Sequence, residues 1–136
     1  MSRPHPFRAL ALAALAFSGQ ATASPLPPAP SPETVLATYR VAPGKEAEFI
    51  RVLRSEQQWL RGKGYVVADP ARHLLLRSVG DTGEPTCIVE LFTWTDSYIP
   101  DHAPKELQAY WDEMNRLCPR VGRTPGIAFV EVEPVP

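Results

Sequence analysis

The chain reads as an α+β domain of ferredoxin-like topology, β-α-β-β-α-β, carried behind an export signal. Three observations predict it. Basic residues, a short apolar run and a group of small residues follow one another at the amino terminus. Two helical stretches alternate with four strand-like ones in the order of a split βαβ unit, with Pro and Gly at the junctions. The strand Thr86–Trp94 is apolar on both faces, so each face needs a cover.

The signal comes first. Met1 to Arg8 holds Arg3 and Arg8 and no acid, Ala9 to Phe17 (ALALAALAF) is apolar, and Ala21-Thr22-Ala23 supplies a cleavage site. Nine apolar residues fall far short of the ~20 that span a bilayer. No cysteine follows the small residues, so a lipid anchor is not indicated. Residues 1–23 are therefore expected to be a cleaved signal peptide, and the product to be periplasmic or secreted, without membrane attachment. Residues 24–33, with Pro25, Pro27, Pro28, Pro30 and Pro32, form an extended linker. Residues 34–136 form the domain.

Within it, Val35 to Val41 (VLATYRV) is strand-like and stops at Ala42-Pro43-Gly44. Lys45 to Arg61 is helical: Phe49, Ile50, Leu53 and Leu60 make an apolar stripe, and Gly62 and Gly64 end it. Arg72 to Val79 is a second strand, and Gly80 to Pro85 a turn. Thr86 to Trp94 is the third strand. Pro104 opens a second helix in which Leu107, Trp111, Met114 and Cys118 share one face. Ile127 to Val132 is the last strand. Two helices cover one face of such a sheet, leaving the other to solvent or a second copy. The face with Ile88, Phe92 and Trp94 is expected to meet that copy, and the face with Cys87, Val89 and Leu91 to lie under the helices.

Charge narrows the partners. Without Arg3 and Arg8 the chain carries 12 basic and 15 acidic residues, a net charge near −3, and the basic residues are scattered. Nucleic acid and anionic membrane surfaces are not expected partners. A small domain has little apolar area to bury, which favours a homodimer. Both cysteines lie in the exported part, where disulfides persist. The second helix runs back along the third strand and brings Cys118 over Cys87. Cys87 and Cys118 are a candidate bridge, weighed against two buried free thiols.

The passage VELFTWTDSYIPDHAPKELQAYWDEMNRLC, followed by FVEVEPV, resembles the antibiotic-biosynthesis-monooxygenase-like domains of the dimeric α+β barrel superfamily. The resemblance spans the mature chain. It implies two ferredoxin-like sheets paired face to face, each subunit enclosing a small cavity between sheet and helices. It also implies a choice of activities: cofactor-independent oxygenation of polycyclic phenols, haem degradation, or none assigned. Fold alone does not choose among them.

The candidate site is built from five residues. Trp94, Phe92 and Tyr39 are candidate walls of an aromatic pocket, with core or interface packing as the plainer role. His102, in the loop before the second helix, is a candidate general base; its plainer role is capping that helix or facing solvent. Glu90, set between Ile88 and Phe92, is either a general base in the cavity or half of an ion pair with Arg77 or Arg40. His73 opens the second strand beside Arg72, which suggests a solvated edge. No phosphate loop, G-x-S-x-G, H-E-x-x-H or CxxC is present, and no metal site or cofactor is expected. The expected function is binding of a small apolar or aromatic molecule, with cofactor-independent monooxygenation as the candidate reaction. A non-catalytic binding module of the same fold is the alternative. Haem binding through His102 is a further one, against which the first strand has Thr38 and Tyr39 where haem-degrading relatives place an asparagine.

Overall fold

A computed structural model describes residues 24–79 and 86–136; the expected signal peptide and the Gly80–Pro85 turn lie outside the described residues. Residues 24–32 are exposed and carry no helix or strand. Strand β1 runs Glu33–Val41 and helix α1 Glu46–Lys63. Glu46 and Glu48 in the first turn of α1 and Arg61 and Lys63 in the last complement the helix dipole. The helix passes through Gly62 and stops at Gly64, whose φ of 70° is a left-handed cap suited to glycine.

Strand β2 (Leu74–Arg77) is half the expected length. Strand β3 (Thr86–Trp94) is as expected. A one-turn helix, α2 (Tyr98–Asp101), occupies the segment read as loop, and α3 spans Lys105–Leu117. Strand β4 is Ile127–Glu131. The sheet order is β2-β3-β1-β4, with every neighbouring pair antiparallel, as the β-α-β-β-α-β reading requires.

The core lies between one sheet face and the two long helices. Val35, Tyr39 and Val41 of β1 and Ile88, Phe92 and Trp94 of β3 are buried with Phe49, Leu53 and Leu60 of α1 and Leu107, Met114 and Leu117 of α3. The Ile88–Phe92–Trp94 face is thus the helix-covered one, the reverse of the sequence expectation. Period-2 alternation says which residues share a face and not which layer each face meets. The face with Leu36, Cys87, Val89 and Leu91 is the one without helices.

That inversion decides the cysteines. Cys87 pairs with Arg40 across the ladder on the uncovered face, while Cys118 is buried on the helix side, so the sheet stands between them. Both thiols are free, which sets aside the candidate bridge in favour of the free-thiol reading. Burial pushes the Cys118 thiol up to about 12, which makes it a poor nucleophile. Thiol counting on denatured, unreduced protein should find two per chain, and none would restore the bridge.

Candidate functional site

An apolar cavity of about 250 Å³ opens between the sheet and the helices. Val35 and Tyr39 of β1, Phe92 and Trp94 of β3 and Phe129 of β4 form its floor. Phe92 and Trp94 meet edge to face, with centroids 5.2 Å apart, and Phe129 stands against Tyr39 in the same manner at 6.3 Å. Pro100 of α2, Trp111 of α3 and Glu56 of α1 close the other side. The three candidate pocket aromatics, Trp94, Phe92 and Tyr39, line this cavity on the helix side of the sheet and also belong to the core.

Glu56 is the chemically unusual group of that wall. Its place on α1, three residues after Leu53 and four before Leu60, turns it to the core with them. It is 4% exposed. Trp111 donates its indole N–H to Glu56 Oε1 at 2.9 Å. Burial, reinforced by repulsion from Glu90 and only partly offset by the Trp111 bond, pushes the carboxyl up to about 8. The reading of α1 from its apolar stripe missed Glu56; a glutamate in phase with Phe49, Leu53 and Leu60 was the available signal.

Glu90 lies deeper and is fully buried. Ala37, directly opposite it on β1, is too small to fill the space. Tyr39 donates its hydroxyl to Glu90 Oε2 at 2.9 Å, and His73 Nε2 lies 2.8 Å from Oε1. Arg61 Nη2 approaches His73 Nδ1 at 2.6 Å. A guanidinium only donates, so Nδ1 accepts, and the ring proton sits on Nε2 and points at Glu90. The partners expected for Glu90 are corrected accordingly. Arg77 pairs with Glu46 at 2.5 Å, and Arg40 donates to the Pro125 carbonyl at 3.2 Å. His73, read as a solvated edge residue, is the partner instead. Tyr39, at the join between cavity and network, has a hydroxyl pKa well above the ordinary value, through burial first and the Glu90 charge second.

His102 is elsewhere. It is exposed, stacks on Tyr98 at 3.5 Å between ring centroids, and its Nδ1 donates to the Tyr98 carbonyl at 3.1 Å. It is not among the cavity walls. Sequence adjacency to Trp94 suggested convergence, and the α2 turn carries the imidazole away from it.

Known structures give the fold. A crystal structure of an antibiotic biosynthesis monooxygenase is 17% identical over 76% of this chain and 99% of its own, at a TM-score of 0.55. SnoaB, a cofactor-independent oxygenase from Streptomyces nogalater, is 17% identical over 76% and 95%, at 0.52. A protein from Shewanella oneidensis is 18% identical over 76% and 93%, also at 0.52. No protein-family model matches the chain, and no curated protein shows significant similarity to it. The chain therefore has the antibiotic-biosynthesis-monooxygenase-like fold, as its sequence suggested; at these identities the likeness does not extend to chemistry.

Proposed function

We propose that this chain is an exported, homodimeric domain that binds a small aromatic molecule in the cavity below Trp94, and that Glu56 is the base of a cofactor-independent oxygenation there. One observation carries the reading: a buried carboxyl with a pKa near 8 stands among the aromatic walls of a mainly apolar cavity, whose other lining carboxylate, Glu33, is only half-buried. Trp111 holds one carboxyl oxygen, which leaves the other for a bound phenol or enol. Removing a proton from an activated ring carbon gives a carbanion that passes its electrons to dioxygen. The resulting hydroperoxide loses water and leaves a carbonyl, one oxygen atom going to product and one to water. A base of pKa near the working pH is suited to the first step. Glu90, with both oxygens engaged, and His102, outside the cavity, are less suited.

Oxygen uptake with a panel of anthrones and quinols tests the reaction, and quenching of tryptophan fluorescence by the same compounds tests binding. Quenching without uptake would leave the non-catalytic binding module, and neither would sink the reading. For export, secreted material should have a mass beginning near Ser24.

The uncovered sheet face supports the dimer. Across the ladder Leu74 stands opposite Leu91, Leu91 opposite Leu36, and Leu36 opposite Val130. Leu74 and Val130 are 49% and 57% exposed. An apolar stripe of this breadth supports pairing with a second copy. Light scattering at micromolar concentration should give twice the chain mass, and Leu91→Asp should return it to the monomer value. A monomer in the unaltered protein would rule the pairing out.

A further inference from the structure

A second cleft lies on the far side of the Tyr39–Glu90–His73 network from the aromatic cavity. It is about 400 Å³ in volume and opens where α1 overhangs the short edge strand β2. Arg54, Gln57 and Arg61 follow one another at i, i+3 and i+7 along α1 and form its roof. Leu75 of β2 and Leu53 give it apolar sides, and His73 and Glu90 close its inner end.

Gln57 is the informative residue. It is 5% exposed, and its Nε2 has no hydrogen-bond partner among the described residues. An unsatisfied buried amide N–H is destabilising by ~1–3 kcal/mol in general, so such groups are uncommon unless a ligand or water meets them. Gln57 lines the cleft with two guanidiniums on the same helix face, and rotation about the terminal bond of its side chain would turn the sealed Nε2 towards a ligand. Arg61 is engaged with His73, whereas Arg54 has no hydrogen bond or ion pair among the described residues. An amide donor, a free guanidinium and leucine sides together select an acceptor that is anionic, with an apolar tail. The Glu90 carboxylate in the wall disfavours a second negative charge, so a monoanion suits the cleft better than a phosphate dianion.

We propose that this cleft is a second ligand site, which takes a small aliphatic carboxylate on Gln57 Nε2 and the Arg54 guanidinium. The site is separate from the aromatic cavity, and it stands whether or not Glu56 acts as a base. A carboxylate seated there would give the buried amide its missing acceptor and Arg54 its counter-charge, with its tail along Leu53 and Leu75.

The probe is hexanoate, titrated into the full mature protein and followed by amide NMR, with hexan-1-ol as neutral control and inorganic phosphate as dianion control. Hexanoate should shift the Gln57 side-chain amide signals saturably, and neither control should match it. Gln57→Leu should weaken hexanoate at least ~10-fold, the effect of one charge-assisted hydrogen bond. Its melting temperature should equal or exceed that of the unaltered protein, because a partnerless donor has been removed. Exposed Arg54→Ala should weaken binding without altering the fold, and keeps the test open if Gln57→Leu fails to fold. Hexanol binding equally well, full affinity in either variant, or shifts confined to the Trp94 and Trp111 indoles would each overturn the proposal.

Discussion

Glu56→Gln should lower turnover of an oxygenated substrate by ~10²–10⁴-fold, the usual contribution of a placed acid–base group, and should stabilise the protein at alkaline pH. The two effects share a cause. Folding raises the Glu56 pKa from an ordinary 4.5 to about 8, so between those values the folded state holds a proton that the unfolded state has lost. Stability therefore falls as pH rises through this window, by on the order of 5 kcal/mol in total, and is unaffected by Glu56 below it. Glutamine stays neutral throughout and can still accept from Trp111. Thermal melts from pH 5 to 9 should show the unaltered protein losing stability with pH relative to Glu56→Gln. Oxygen uptake should rise with pH towards a midpoint near 8, because only the ionised carboxylate abstracts a proton. A flat rate profile, or full turnover in the variant, would place the base elsewhere.

Glu90→Ala should destabilise by about 3 kcal/mol, with His73 and Tyr39 both left without an acceptor. Tyr39→Phe should cost less, about 1 kcal/mol, since Glu90 then keeps the His73 bond. Glu90→Gln rescues the network only in part: its carbonyl can accept from His73 Nε2–H while its amide donates to the Tyr39 hydroxyl oxygen, which leaves the phenolic proton without its acceptor. The expected order of melting temperatures is unaltered protein, Tyr39→Phe, then Glu90→Ala. An unchanged melt for Glu90→Ala would mean that burial of the carboxylate offsets its hydrogen bonds.

Local patterns made the architecture legible. The stripe through Phe49, Leu53 and Leu60, the proline before α3 and the alternation of β3 each specify an element whatever surrounds it. The tertiary choices were not written locally. Both faces of β3 are apolar, so nothing in Thr86–Trp94 says which one receives the helices, and reading that choice the wrong way also made the Cys87–Cys118 bridge a candidate. The pocket aromatics Trp94, Phe92 and Tyr39 were found because large rings on one sheet face converge wherever that face is covered. His73 and Glu90 are seventeen residues apart, and only the β2–β3 register brings them together. His102 misled because closeness to Trp94 along the chain is not closeness in space once a helical turn intervenes.

The pairing of Tyr39 with Glu90 bears on how the chain finds its fold as well as on what the fold holds. Hydrophobic alternation tolerates a slip of β3 against β1 by two residues, because every side chain keeps its face. The slip that sets Glu90 opposite Val35 carries it about 7 Å further from Tyr39 and leaves a carboxylate in the core with no donor from β1. A slip of one residue puts it on the uncovered face and trades it for an apolar neighbour. A single buried acid thus separates the native alignment from near-degenerate misfolds that apolar packing alone would accept.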